Sequence, residues 1–129
     1  DHIFIYGTDY PTEDGTCIRD YIHVEDLVDA HVRALHYLRD GQKSDVFNLG
    51  SNTGFSVNEM IQAARQVTGH AIPAQATTRR AGDPARLIAS AEKAKRVLGW
   101  APERTDITRI IADAWAWHAA HPDGYEVGR

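Results

Sequence analysis

The feature of this sequence that most constrains its fold is a series of short strand-like segments separated by longer helical ones. The strand-like segments are apolar runs or apolar–polar alternations that end at turn residues, which is typical of short strands. The predicted strands are residues 3–6, 18–24, 46–50 and 72–78. The first is almost wholly apolar and ends at Gly7, so it is predicted to be buried on both faces. Alternation in the second places Arg19, Tyr21 and His23 on one face.

Apolar residues at helical spacing predict four helices between and after these strands. The predicted helices are residues 25–38, 56–69, 91–98 and 105–120, and residues 124–129 are predicted to be a tail. Ser56 and Glu59 have the spacing of a capping box, and Gly69 is typical of a helix end. The apolar stripes predicted to face a core are Leu27, Ala30, Ala34, Leu35 and Leu38 in the first helix, Val57, Met60, Ile61, Ala64 and Val67 in the second, and Ile107, Ile110, Ile111, Ala114 and Trp115 in the last.

The order of these elements predicts a mixed α/β fold. With 129 residues, of which 43% are hydrophobic, the chain has the size of one globular domain, so residues 1–129 are predicted to form a single region. The strands are short, and neither G-x-G-x-x-G nor G-x-x-G-x-x-G occurs, so the dinucleotide-phosphate loop of a doubly wound sheet is missing. Because the first strand begins at residue 3 without a leader or an initiating Met, we expect the chain to be part of a longer protein.

Charge and cysteine content narrow the class of protein further. The chain has 14 Lys and Arg against 18 Asp and Glu, a net charge of -4, which argues against a surface built for nucleic acid or anionic membranes. No apolar run reaches the length of a membrane span. The single cysteine, Cys17, cannot form an internal disulfide and indicates a reducing, cytoplasmic location. His118 and His121 form a close pair without a third ligand, so no metal site is predicted.

Two arginine-bearing loops and one aromatic strand are where the sequence predicts ligand binding. The loops are residues 19–21 and residues 79–83. Guanidinium groups present paired donors that match phosphate oxygens, so arginines from the two loops are able to clamp a diphosphate. Asp83 can accept hydrogen bonds from sugar hydroxyls. Tyr6 or Phe4 can stack on a base. Together these groups predict a nucleotide-sugar site.

Ordinary structural roles are open for the same residues. An Arg-Arg pair on a loop is typical of solvated surface, and strand aromatics are typical of a core. Asp83-Pro84 is a common way to begin a turn. Asp26, near the start of the first predicted helix, is placed to complement the helix dipole.

The segment from Tyr6 to Val24, YGTDYPTEDGTCIRDYIHV, closely resembles UDP-glucose 4-epimerases of the extended short-chain dehydrogenase/reductase family. The similarity continues through residues 26–27, His31, residues 47–50, residues 80–83 and the closing Trp-rich helix. The run YPTEDGT is typical of the epimerases, whereas most relatives share only the shorter R-D-[YF]-[IV]-H-V motif. The resemblance implies that this chain is the C-terminal substrate-binding lobe of such an enzyme, with the Rossmann core mostly missing.

The reaction implied by this resemblance is the NAD-dependent interconversion of UDP-glucose and UDP-galactose. In the family, the glycine-rich NAD loop and a Tyr-x-x-x-Lys catalytic pair lie upstream of this region. No Tyr in this chain is followed four residues later by Lys, so no catalytic residue is assigned. NAD is expected on the missing N-terminal lobe, the chain alone is expected to be inactive, and the full-length enzyme is expected to be a homodimer.

The resemblance also implies roles for individual residues in substrate binding. The residues concerned are Phe4, Ile5, Tyr6, Arg19, Arg80, Asp83 and Leu87. Residues 4–6 match the strand beside the uracil, with Tyr6 at the ring-stacking position. Arg19 and Arg80 match diphosphate ligands, and Asp83 matches a ribose contact. Arg79 is predicted to be a surface residue.

One position departs from the family pattern. Leu87 stands where a Tyr often limits the space beside the C2 substituent of the sugar, so we expect UDP-N-acetylhexosamines to be accepted as well. Two other functions are compatible with the sequence. One is a non-catalytic nucleotide-sugar-binding module, and the other is the lobe of a different sugar-nucleotide epimerase or dehydratase.

Overall fold

The computed structural model of the protein describes residues 2–125, which contain five short strands and four helices. In chain order they are β1 (Ile3–Tyr6), β2 (Ile18–Arg19), α1 (Val24–Arg39), β3 (Phe55–Ser56), α2 (Val57–Thr68), β4 (Ala74–Thr77), β5 (Arg86–Leu87), α3 (Glu92–Leu98) and α4 (Ile107–Ala120). The predicted α/β class, with few short strands and four helices, is confirmed. Every helix within residues 2–125 is too short or too polar to cross a bilayer.

The strands form two small sheets. β1 and β4 are parallel, with a register that runs from Ile3 opposite Ala74 to Tyr6 opposite Thr77. In the second sheet β2 lies in the middle, antiparallel to β3 and parallel to β5. Because parallel strands end at the same edge of a sheet, the chain segments that follow β1 and β4 leave side by side.

The second predicted helix is confirmed in its start, its end and its buried face. The Ser56 hydroxyl accepts a hydrogen bond from the Glu59 amide at 3.0 Å, and the Ser56 amide donates to the Glu59 carboxylate at 2.6 Å. Gly69 ends the helix in the left-handed conformation, with a φ of 70°. All five residues of its predicted stripe are buried or half-buried, and the helix packs against α4.

The main core surrounds Trp100, which is fully buried and donates from its indole nitrogen to the Asp26 carbonyl at 2.9 Å. The residues packed around this indole are Ala30, Ala91, Ala94, Phe47, Leu49 and Leu98. The prediction of a strand at residues 46–50 is wrong, because this segment forms no ladder. The alternation of apolar residues in this segment reflects packing instead, because Phe47 and Leu49 both pack against the core around Trp100.

The predicted strand at residues 18–24 is also wrong beyond its first two residues. Asp20 leaves the ladder and accepts a hydrogen bond from the Ala89 amide at 3.1 Å. His23 caps α1, because its Nδ1 accepts from the Glu25 amide at 3.1 Å. Arg19, Tyr21 and His23 therefore share no strand face. The two-residue strands β3 and β5 were not predicted, since they are too short to show a periodicity.

Several apolar surfaces predicted to be buried are exposed. Ile3, Phe4 and Tyr6 of β1 are 43%, 48% and 39% exposed, so the prediction of burial on both faces is wrong. In α1, Ala30 of the predicted stripe is buried, but Leu27, Leu35 and Leu38 of the same stripe are exposed, so the prediction is wrong for these three residues, which belong to an exposed apolar face. This α1 apolar face consists of Val24, Leu27, Val28, Val32, Leu35 and Leu38. In α4, Ile107 is buried but Ala114 and Trp115 are exposed.

The predicted tail at residues 124–129 extends outside the described residues, of which Tyr125 is the last. The Tyr125 ring lies 5.3 Å from the Trp117 ring, and His121 stacks on Trp117 at 4.9 Å. Within residues 2–125, no group of three or more His, Cys, Asp or Glu side chains is placed to hold a metal ion.

Candidate functional site

The end of β1 and the segment after β4 bring an aromatic ring and a guanidinium group together. Arg80 stands over Tyr6, with its Cζ atom 4.7 Å from the centre of the ring. This is the geometry of a cation–π contact. Phe4 lies on the same side of β1, with its ring centre 6.1 Å from that of Tyr6. Ile5 alternates to the other face of the strand and is half-buried there.

The Asp83 carboxylate lies between two arginines. Arg80 donates from its Nε atom to Asp83 Oδ2 at 2.8 Å, and its Nη2 atom lies 2.8 Å from the same oxygen. The Arg19 Nη2 atom lies 3.6 Å from Asp83 Oδ1. Both Arg19 and Asp83 have side chains that are 22% exposed, whereas Arg80 is 61% exposed. Two positive charges from separate segments therefore converge on one carboxylate at the protein surface.

Arg19 is held in place by backbone carbonyls. Its Nη1 atom donates to the Ile18 carbonyl at 2.7 Å and to the Pro84 carbonyl at 3.0 Å. The pairing of β2 with β5 places Leu87 opposite Arg19, and Leu87 is 58% exposed. Tyr21, two residues beyond Arg19, is partly buried, and burial raises the pKa of its hydroxyl although the charge of Arg19 opposes this.

The structure thus joins most of the residues predicted to bind substrate. A continuous series of contacts runs from Arg19 through Asp83 and Arg80 to Tyr6. The two arginines are 61 positions apart in the sequence. Phe4 adjoins Tyr6, and Leu87 adjoins Arg19. Ile5 is the exception, because its side chain lies on the other face of β1.

Arg79 is more than the surface residue that the sequence predicted. Its Nε atom donates to Asp9 Oδ1 at 2.6 Å, and its Nη2 atom donates to the Asp9 carbonyl. The guanidinium also lies over the Tyr10 ring, with Cζ 4.1 Å from the ring centre. The hydrogen bond from Arg79 lowers the pKa of the Asp9 carboxyl below its usual value, so the pair is intact at neutral pH. No local pattern predicts this contact, because 70 positions separate its partners.

The YPTEDGT segment contains a carboxylate with a structural role. The Asp14 carboxylate accepts hydrogen bonds from the Thr16 amide at 2.8 Å, from the Thr16 hydroxyl at 2.7 Å and from the Ser56 hydroxyl. Burial raises the pKa of Asp14, but these hydrogen bonds outweigh it, and the pKa lies below its usual value. Asp14 therefore ties this segment to the start of α2.

The class of the protein follows from its similarity to a known family. A family model described as GDP-mannose 4,6 dehydratase matches residues 5–114. The chain belongs to this family, which is part of the extended short-chain dehydrogenase/reductases.

Individual relatives are similar to the chain over nearly all of its length. UDP-glucose 4-epimerase of Streptococcus mutans is 59% identical over 124 residues, which are 96% of this chain and 37% of that protein. A crystal structure of a UDP-glucose 4-epimerase is 56% identical with a TM-score of 0.92, covering 98% of this chain and 38% of that one. Another, from Stenotrophomonas maltophila with bound NAD and formylated UDP-arabinopyranose, is 46% identical with a TM-score of 0.86 and covers 94% and 36%.

The chain therefore spans about 37% of the length of the relatives that it matches, and the matched part is a C-terminal portion of them. The predicted resemblance to UDP-glucose 4-epimerases is confirmed by these comparisons.

Proposed function

We propose that this chain is the UDP-hexose-binding, C-terminal part of an NAD-dependent UDP-glucose/UDP-galactose 4-epimerase. The observation that carries this proposal is the placement of Asp83 between Arg19 and Arg80, with Arg80 standing over Tyr6. An aromatic ring, two guanidinium groups and a carboxylate on one surface are the groups that a uridine diphosphate requires.

In this proposal each side chain has a distinct contact with the nucleotide. Tyr6 stacks on the uracil, Arg19 and Arg80 bind the diphosphate, and Asp83 accepts hydrogen bonds from the ribose. Without ligand, the single negative charge of Asp83 offsets part of the charge of the two arginines and holds them near each other. A diphosphate brings more negative charge to the same donors, so it displaces the carboxylate and leaves Asp83 free to accept from ribose hydroxyls.

The strand that carries Tyr6 has a second role in the proposal. In the proposal, the Phe4 ring and the Ile5 backbone lie beside the uracil. The Ile5 side chain does not, because it lies on the other face of β1. The part of the substrate site that this chain contributes therefore holds the UDP portion of the substrate. Its task is orientation of the hexose rather than chemistry on it.

When bound, NAD would supply the hydride chemistry of epimerisation at C4 of the hexose, while this chain would hold the UDP portion of the substrate. This chain does not fit that cofactor, because it has no glycine-rich phosphate loop. It also has no Tyr-x-x-x-Lys pair to act as the base. We propose that NAD and the catalytic pair belong to an N-terminal lobe that completes the enzyme.

The exposed apolar surfaces support a second lobe. The α1 apolar face exposes six large aliphatic side chains between 37% and 66%, and β1 exposes three more apolar residues. Contiguous exposed apolar surface of this kind marks a contact with another part of a protein. We propose that the NAD-binding lobe covers this apolar surface. The full-length protein is proposed to be a homodimer that acts in galactose metabolism. The free thiol of the one cysteine supports a cytoplasmic location.

The other candidate functions have less support. A lobe of a dehydratase is compatible with the description of the family model, but identities of 59% and 56% to epimerases favour epimerisation. A non-catalytic binding module would need no second lobe, and the exposed α1 apolar face argues against it.

A reconstitution experiment tests the proposal. We expect residues 1–129 with NAD and UDP-galactose to give no UDP-glucose, and calorimetry to detect weak UDP binding at best, because the other lobe must close the site. The enzyme completed by the sequence encoded upstream of Asp1 is expected to turn over. Turnover by residues 1–129 alone would contradict the proposal, as would an upstream sequence without a glycine-rich βαβ unit and a Tyr-x-x-x-Lys pair.

Leu87 predicts the tolerance of the enzyme for a substituent at C2 of the sugar. Since Leu87 is smaller than Tyr and lies opposite Arg19, we propose that it leaves room for an N-acetyl group. In the complete enzyme, Leu87→Tyr is expected to lower kcat/KM for UDP-N-acetylgalactosamine by about tenfold or more, with UDP-galactose changed little. Leu87→Met, which conserves the volume, is the matched control. Strict preference of the unmodified enzyme for UDP-glucose and UDP-galactose would contradict the proposal that Leu87 leaves room for an N-acetyl group.

A further inference from the structure

We propose that Arg79 is a positioning residue that holds Arg80 in place for the diphosphate, an inference that rests on the proposed function of Arg80. Arg79 clamps the segment after β4 onto the segment after β1. The two segments leave the sheet side by side, since Tyr6 is paired with Thr77 and the Gly7 amide donates to the Thr77 carbonyl at 3.0 Å. Beyond that bond, no strand ladder joins them.

The ring that receives Arg79 belongs to a buried and hydrogen-bonded residue. Tyr10 is only 5% exposed, its amide donates to the Gly15 carbonyl at 2.9 Å, and its carbonyl accepts from the Thr12 amide at 2.8 Å. A flat guanidinium that lies on such a ring and donates to Asp9 is fixed in both direction and rotation. Arg79 is therefore anchored to a buried ring whose backbone amide and carbonyl are both hydrogen-bonded.

Gly7 makes room for this anchor. A Cβ atom at Gly7 would lie 2.6 Å from Arg79 Cγ and 2.6 Å from Tyr10 Cε2, closer than side chains approach. The φ of Gly7 is also +93°, a value that favours glycine. The backbone at the end of β1 thus has the one residue type that allows the Arg79 stem to pass close by.

Arg79 and Arg80 have separate partners and therefore separate tasks. Two Arg79 nitrogens donate to Asp9, and one face of its guanidinium lies on Tyr10. Arg80 instead stands over Tyr6 and donates to Asp83, inside the proposed substrate site. Because the two residues are adjacent, fixing Arg79 limits where the backbone can place Arg80. A direct phosphate contact by Arg79 would require its bonds to Asp9 to break.

A double-mutant cycle in the complete enzyme tests this role. The four proteins are the unmodified enzyme, Arg79→Met, Arg80→Ala and the double variant, and the measurement is the Kd for UDP. If Arg79 acts through Arg80, Arg79→Met weakens UDP binding by about tenfold in the unmodified enzyme and by less than about twofold in the Arg80→Ala background. KM for UDP-galactose is expected to rise with kcat changed little, as for a loss of uniform binding.

Two further variants separate positioning from general stability. Arg33→Met is the matched control, because Arg33 is also 42% exposed and donates from Nε to Asp29 at 2.7 Å and from Nη1 to the Gly99 carbonyl. It is expected to leave the UDP Kd unchanged. Arg79→Lys keeps the charge but loses the flat stacking group, so its UDP Kd is expected to lie between those of Arg79→Met and the unmodified enzyme.

The outcomes distinguish this inference from the proposed function. If Arg79→Met weakens UDP binding equally with and without Arg80, or does not weaken it at all, the positioning role is wrong while the binding site stands. The same holds if Arg33→Met weakens UDP binding as much as Arg79→Met. If Arg80→Ala leaves the UDP Kd unchanged, the proposed function of the site itself is wrong.

Discussion

Replacement of Asp26 by alanine is expected to lower the free energy of unfolding by about 3 kcal/mol, because it breaks a buried charged network. Asp26 is 3% exposed and accepts hydrogen bonds from the Glu103 amide at 3.0 Å and from the Arg104 amide at 2.8 Å. Its other oxygen accepts from Arg104 Nη1 at 2.8 Å. Its removal leaves two backbone donors without their acceptor, and Arg104 keeps only its ion pair with Glu25.

The loss would extend beyond α1. The Asp26 carbonyl accepts from the indole of Trp100, and its carboxylate fixes residues 103–104, which lead into α4. The value of about 3 kcal/mol is at the low end for a broken buried pair, because Arg104 is 36% exposed and can turn toward water. The midpoint of thermal unfolding is expected to fall by about 10 °C.

The matched control for this prediction is Asp29→Ala, on the same helix. Asp29 is 47% exposed and pairs with Arg33 at 2.7 Å, so its loss is expected to change the free energy of unfolding by less than about 0.5 kcal/mol. Urea unfolding of both variants and of the unmodified protein gives the comparison. An equal loss at both positions would mean that the Asp26 network contributes no more than a surface ion pair.

Replacement of Arg80 by alanine is expected to weaken UDP binding to the complete enzyme by about a hundredfold, the cost of removing a charged partner of a phosphate. The free energy of unfolding is expected to change little, because Arg80 is 61% exposed and its bond to Asp83 is a surface ion pair. Arg19→Ala would be harder to interpret, since Arg19 also donates to the Ile18 and Pro84 carbonyls.

Arg109→Ala is the control for Arg80→Ala. Arg109 is 63% exposed and also pairs with an aspartate one helical turn away, Asp113, at 2.5 Å. It lies on α4, outside the site, so its loss is expected to leave the UDP Kd unchanged. Calorimetric titration with UDP at fixed ionic strength measures both variants. Equal UDP affinities for the Arg80 and Arg109 variants would remove the main support for the site.

The role of Asp26 also shows what a sequence pattern leaves undecided. An acidic residue in the first turn of a helix is compatible with a simple interaction with the helix dipole. The structure instead buries its carboxylate against residues 103–104, 77 and 78 positions away. No local pattern distinguishes these two roles, because the difference lies in the distant segment that covers the helix end.

The features that could be predicted from the sequence are local ones. The capping box at Ser56, the end of α2 at Gly69 and four amphipathic helices depend on residues a few positions apart, so periodicity and cap spacing predicted them. The motif residues Tyr6, Arg19, Arg80 and Asp83 were likewise visible as residue types suited to a nucleotide sugar.

Which of these features are buried, and which of them come into contact, depends on the packing of the whole chain. Arg19 reaches Asp83 through the pairing of β2 with β5, and Arg79 reaches Asp9 across the ends of β1 and β4. Apolar periodicity predicted a helix at α1, but its exposed apolar face depends on what else packs there. Burial and long-range contacts are set by the packing of distant segments, and no local pattern in the sequence specifies that packing.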